Sequence, residues 1–139
     1  MKVFIDTGVL YAAAHAGDRS HAAARRILGA LGADEAVTTD HVLIESWSLL
    51  NARIGRHAAM RFWRGVRYAP LGIEFTTRAD LERAEAIAER WEDQSFSMVD
   101  CTSFAVMERL GCRRAAAFDR DFAVYRYGPD GTRAFEILR

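Results

Sequence analysis

The sequence holds a single lysine, two prolines and two cysteines in 139 residues, and its 19 basic and 19 acidic residues cancel. The neutral balance, with half the residues hydrophobic, marks an ordinary globular chain long enough to bury a core without staples. Neither Pro70 nor Pro129 sits in a linker-like run, and there is no repeat or low-complexity stretch, so one domain over residues 1–139 is expected. Long apolar runs are missing too. The charge-free stretch from Thr7 to Gly17 is too short to span a bilayer. Asp6 interrupts the basic-then-apolar-then-small pattern of a signal peptide, so a soluble, cytoplasmic protein is expected, with no membrane association. Cys101 and Cys112 read as buried free thiols. His15, His21, His41 and His57 show no i, i+4 pairing and no nearby cysteine, which argues against zinc. With Lys2 the only lysine, the basic side is nearly all arginine, which suits bidentate phosphate contacts but arises from genome composition as well.

What is present is an alternation of strands and helices. Val3-Phe4-Ile5 is a continuous apolar run, as in a strand covered on both faces, and it leads through Asp6 and Thr7 into an Ala-rich helix. Ser20 is expected to cap a helix from His21 to about Leu31, with Ala22, Ala23, Ile27 and Leu28 on its apolar side. Ala36 to Thr38 is a short strand, and Leu43, Trp47, Leu50 and Ile54 recur at helical spacing after it. Gly55 separates that helix from another that ends before Pro70, and Ile73 to Thr76 is a third strand. Thr77 caps a helix with Leu81, Ala84, Ile87 and Trp91 inward. Ser97 opens the next helix, which Gly111 terminates. Arg114 to Phe118, a short helix after Asp119, a turn over Gly128 to Gly131 and a strand over Ala134 to Leu138 complete the chain. Such alternation predicts an α/β fold, a three-layer α/β/α sandwich on a central, mostly parallel five-stranded sheet.

Four carboxylates stand apart from the charged helix faces. Asp6 and Asp119 each follow a strand, and in a parallel sheet those ends share one edge. Asp100 lies in the first turn of its helix, and Glu45 is embedded in the apolar run VLIESWSLL. Each has a structural explanation: Asp6 and Asp119 as helix caps, Asp100 in a capping box with Ser97, Glu45 paired with an arginine. None of these accounts for their convergence. Carboxylates brought together repel one another unless a cation neutralises them, and an all-oxygen donor set suits Mg²⁺ or Mn²⁺. Mg²⁺ held this way keeps waters and receives phosphate oxygens, which points to phosphoester chemistry.

The order I-D-T at Asp6, I-E at Glu45, V-D-C-T-S-F-A at Asp100 and F-D-R-D-F at Asp119 resembles the PIN domain family, in particular the VapC type of ribonuclease toxin. The likeness spans essentially the whole chain, including D-x-x-H from Asp18 to His21. It implies an acidic pocket binding Mg²⁺ or Mn²⁺, cleavage of RNA, a homodimer, and inhibition by a small VapB-type antitoxin. Asp6, Glu45 and Asp100 match the three core acids and Asp119 the fourth, while Thr7 and Thr102 match hydroxyls that support the pocket. Asp121 stands where many relatives have histidine, which leaves open whether Asp119 or Asp121 supplies the fourth carboxylate.

Other readings are weaker. A receiver domain needs paired acids after the first strand and a late lysine; a haloacid-type phosphatase needs an acid where Gly8 stands. The rival of a different class is a PIN-like protein- or RNA-binding module without nuclease activity. Arg53, His57, Arg61 and Arg64, at spacings of three and four, are either an RNA-holding stripe or a solvated face. Trp47, Phe62, Trp63, Trp91 and Phe96 are either core or partner surface.

Overall fold

The computed structural model describes all 139 residues, Met1–Arg139. Strand β1 (Val3–Ile5) is wholly buried, as a strand covered on both faces must be. It is followed by helices α1 (Thr7–Ala14) and α2 (His21–Ala30), strand β2 (Ala36–Thr39), helices α3 (Asp40–Arg53) and α4 (Arg56–Val66), and strand β3 (Gly72–Glu74). Helices α5 (Arg78–Arg90) and α6 (Met98–Leu110) lead to strand β4 (Arg114–Ala116) and the single-turn helix α7 (Asp121–Val124). Short strands β5 (Arg126–Tyr127) and β6 (Arg133–Ala134) precede the last strand, β7 (Glu136–Leu138).

Five strands form one fully parallel sheet in the order β3-β2-β1-β4-β7. The chain steps from β1 outward through β2 to β3, then returns past β1 to β4 and β7. Right-handed crossovers put α1–α4 on one face and α5–α7 on the other. The packing agrees: α1 lies on α2 and α3, and α3 on α4, while α6 lies on α5 and α7. This is the expected three-layer sandwich. The direction of travel reverses between β1 and β4, and at such a switch point the carboxyl ends of the strands open into a crevice.

Local chemistry sets the helix ends. Thr39 accepts from the Val42 amide to cap α3. Thr77 with Asp80 and Ser97 with Asp100 form complete capping boxes at α5 and α6. Gly111 closes α6 in the left-handed conformation, φ 66°, which a side chain adopts only at a cost. Ser20, by contrast, makes no capping hydrogen bond. The turn before α2 is held instead by Asp18, which accepts from the Ser20 amide, and by His21, whose Nδ1 meets the Ala12 carbonyl at 2.7 Å. The D-x-x-H stretch is thus a structural turn.

Other departures from the sequence pattern have physical reasons. The strand expected over Ala134 to Leu138 is divided at buried Phe135. Its first part pairs antiparallel with β5 across the turn that Gly128 (φ 93°) and Gly131 (φ 67°) permit, and only β7 joins the sheet. In α2 the buried positions are Ala24 and Ile27, while Ala22 is exposed. Leu81 of α5 is exposed as well. The aromatic residues separate into two groups. Trp91 and Phe96 join Phe104 and Tyr125 in a packed cluster, the last two stacked at 4.3 Å between centroids. Trp47 is half-buried and Trp63 exposed, against the outer side of α3 and α4. No helix is long and apolar enough to cross a membrane.

Candidate active site: an acidic cleft at the switch point

Five carboxylates meet at the carboxyl edge of the sheet, each delivered by a different local device. Asp6 is the residue between β1 and α1, and its backbone carbonyl starts the helix, accepting from the Val9 and Leu10 amides. Its side chain makes no capping hydrogen bond, so the simple cap explanation fails there. Asp119 follows β4 and accepts the Asp121 amide at 3.0 Å, turning the chain into α7. Asp100 is held by its capping box, with Oδ2 accepting from the Ser97 amide at 3.0 Å. Glu45, one turn into α3, pairs with no arginine; its Oε2 accepts from the Thr7 hydroxyl at 2.6 Å. Thr102 spends its hydroxyl on the Met98 carbonyl within its own helix, so it gives the pocket no hydrogen bond.

The cleft so formed has a volume of about 410 Å³, and Asp6, Glu45, Asp100 and Asp119 line it together with Tyr11 and Arg53. Oxygens of Asp100, Asp119 and Asp121 lie within 4.8 Å of one another. Asp119 and Asp121 thus both approach Asp100, and Asp119 also lines the cleft. Asp6 and Asp100 are buried, Glu45 and Asp121 half-buried, and Asp119 is exposed.

Crowding shows in the electrostatics. Burial, and then the charge of Asp119, push the Asp6 carboxyl well above the ordinary Asp value. Asp100 is pushed up to about 7, first by burial and then by the hydrogen bond it shares with Asp121. Asp119 is raised by burial and by the Asp121 charge beside it. Elsewhere in the chain, partners reverse this. Burial raises Asp40 and Asp80, yet hydrogen bonds from Thr76 and from Arg109 outweigh it and leave both below the ordinary value. No ion pair engages any of the five cleft carboxylates.

That contrast tests the fit of a cation. Oxygen donors converge without a paired basic side chain, and burial and mutual repulsion disfavour their charged forms, a cost that a divalent ion would relieve. The soft donor next door does not compete: burial, and then the Asp100 charge, push the Cys101 thiol up to about 11, so it stays protonated. No histidine lines the cleft. The residues present fit a hard, oxygen-seeking ion.

The sequence pattern missed one lining residue, Tyr11, although it lies four residues beyond Thr7 on the same face of α1. Arg53, read from the sequence as part of a basic stripe with His57, Arg61 and Arg64, lines the cleft, and those three do not.

The chain matches the PIN domain family over residues 3–126. It is 37% identical over 127 residues to the 23S rRNA-specific endonuclease VapC20 of Mycobacterium tuberculosis, covering 87% of this chain and 92% of the relative. It is 26% identical over 137 residues to ribonuclease VapC26 of the same organism, covering 98% and 99%. The crystal structure of VapC20, described as a sarcin–ricin loop cleaving toxin, superposes with a TM-score of 0.81 at 35% identity over 86% of this chain and 92% of that one. A toxin–antitoxin complex from Klebsiella pneumoniae shares the fold, with a TM-score of 0.66 at 17% identity over 88% and 92% of the two chains.

Proposed function

The chain belongs to the PIN domain family, and from that premise we propose that it is a Mg²⁺- or Mn²⁺-dependent endoribonuclease, the toxin of a VapBC-type pair. The observation that carries this reading is the convergence of five carboxylates at the switch point with no cation of the protein paired to them.

Asp6, Asp100 and Asp119 would hold the ion, with Asp121 beside them, and Glu45 would serve as the base. When bound, the ion lowers the pKa of a water and neutralises charge on the phosphate oxygens. The protein's residues supply the remainder. Thr7 occupies one oxygen of Glu45 and fixes its rotamer, leaving Oε1 to accept the proton of the attacking water. Ser97 and the Asp121 amide orient Asp100 and Asp119, so these carboxylates need little reorganisation. Attack by water on phosphorus leaves a 5′-phosphate and a 3′-hydroxyl.

The chain acts as one domain over residues 1–139, as a cytoplasmic homodimer restrained by a small VapB-type antitoxin. Support for protein partners comes from two apolar clefts. One, of about 390 Å³, lies between α1, α2 and α4; the other, of about 250 Å³, is lined by Ile44, Trp47, Met60 and Trp63.

The test is incubation of end-labelled RNA, including a sarcin–ricin loop hairpin, with the protein in Mg²⁺, Mn²⁺ or EDTA. Metal-dependent products with 5′-phosphate ends are expected. Cyclic phosphate ends, or cutting that persists in EDTA, overturn the mechanism. Binding without any product turns the reading to a non-catalytic RNA- or protein-binding module.

A further inference from the structure

Arg53 is the only basic side chain lining the acidic cleft. It sits in the last turn of α3, exposed, on the helical stripe that also carries Glu45 and Leu49 into the cleft. Beside so many carboxylates an arginine fork would ordinarily close on one of them. This chain does that elsewhere: Arg109 grips both oxygens of Asp80 at 2.9 and 3.0 Å and reaches Glu74 at 2.8 Å. Arg53 makes no ion pair and no hydrogen bond. Its guanidinium instead lies over the ring of Tyr11, 5.3 Å from the centroid. Tyr11 is buried against α3, so the ring is a fixed platform, and the contact leaves the N–H fork free for an outside acceptor. The negative end of the helix dipole favours a cation in this turn but does not explain why it faces the cleft.

Position decides which acceptor. Arg53 lies eight residues beyond Glu45, about 12 Å along the helix axis at 1.5 Å per residue. Seated on Tyr11, its guanidinium pairs with none of the cleft carboxylates, a position suited to the next part of a strand lying along the cleft. We propose that Arg53 holds a backbone phosphate flanking the scissile one, its fork taking the two non-bridging oxygens and setting the register in which RNA enters the cleft. The assignment rests on the reading of the cleft as an RNA-cutting site.

The experiment compares wild type with Arg53→Gln and Arg53→Lys. Binding of a fluorescent single-stranded RNA is followed by anisotropy in Ca²⁺ over a salt series, and cleavage kinetics are followed in Mg²⁺. Arg53 is exposed and makes no hydrogen bond, so Arg53→Gln loses only the contact with the Tyr11 ring, and all three proteins should melt within about 4 °C of one another. For Arg53→Gln, affinity should fall about tenfold and the log–log salt slope flatten by about 0.7, the value for one phosphate contact on a single strand. KM should rise about tenfold with kcat little changed, the signature of binding lost equally from substrate and transition state. Arg53→Lys should restore the slope and only part of the affinity, because a point charge replaces a fork. Replacing flanking phosphates one at a time by neutral methylphosphonates should reveal one position that weakens wild type and leaves Arg53→Gln unaffected.

Unchanged affinity and slope in Arg53→Gln, or equal methylphosphonate penalties in both proteins, overturn the assignment. If wild type binds RNA through Arg53 yet never cuts it, the assignment survives and the nuclease reading falls. If wild type cuts and Arg53→Gln cuts with the same KM, the reverse holds. If wild type binds no RNA, both fall.

Discussion

Replacing Asp100 with asparagine should stabilise the metal-free protein, although it removes a residue of the cleft. The asparagine side chain keeps the capping box, since its carbonyl oxygen can accept the Ser97 amide as Asp100 Oδ2 does at 3.0 Å. Its NH₂ group can also donate to Asp121, which in wild type faces another carboxylate. The magnitude follows from the pKa. The carboxyl rises from an ordinary 3.8 to about 7 in the fold. A difference of about three pK units corresponds to about 4 kcal/mol. Proton sharing with Asp121 and Asp119 absorbs part of this, leaving roughly 2–4 kcal/mol, or a melting temperature higher by about 6–12 °C for a domain of this size. The sign is fixed by linkage. A group whose folded pKa is raised contributes stability that is full below its unfolded value and lost as pH climbs through the folded one. Wild type should therefore lose stability between about pH 4 and pH 7 that the variant keeps, and the gap should be flat above that window. The assay is thermal melting of both proteins in EDTA across this range, repeated with rising Mn²⁺. Saturating Mn²⁺ at a hundredfold over its dissociation constant should return about 2.7 kcal/mol to wild type and much less to the variant. A variant that melts below wild type in EDTA at pH 8 would refute the reasoning, because Asp100 would then be a net stabilising cap.

Three further outcomes are expected. Glu45→Gln should cut RNA about 10²–10⁴-fold more slowly while keeping the Mn²⁺-induced rise in melting temperature; loss of that rise as well would make Glu45 a ligand and not the base. Arg109→Ala leaves Asp80, only 3% exposed, without its partner, and should cost about 2–3 kcal/mol in urea unfolding at pH 7. Since Asp80 is held below its ordinary value, that contribution should disappear as pH falls through its depressed pKa, and a gap unchanged in acid would count against the pairing. Gly111→Ala meets no atom within 4 Å, so its penalty is the φ of 66° alone: about 1 kcal/mol, read as a melting temperature lower by about 3 °C, and an unchanged value would argue against that cost.

Much of this was legible in the sequence because it depends on neighbours along the chain. The buried run Val3-Phe4-Ile5, the Ser97-to-Asp100 box, the terminating Gly111 and the strand–helix alternation are local patterns, and each forms as the local rules require. From them follow a parallel sheet and the placement of Asp6 and Asp119 on one edge of it. Family resemblance added the order of the acids, and the structure brings all four together, with Asp121.

What only the tertiary structure decided are matters of distance between residues far apart in the chain. The hydroxyl of Thr7, at the first position of α1 with no helical carbonyl behind it, found Glu45 across 38 positions, a partner that only the fold supplies, while that of Thr102 turned back on its own helix. Phe135 entered the core and so divided what reads as one strand, because burial of a large ring outweighs continuation of a two-residue pairing. Trp91 and Trp63 are alike in sequence terms, yet one packs with Tyr125 and the other faces solvent, since helical spacing fixes a face without saying which element covers it. Arg53 is the sharpest case. Its charge and its place at the end of α3 are in the sequence, but the free guanidinium over Tyr11, beside carboxylates it does not pair with, exists only once three separate elements have closed around the cleft.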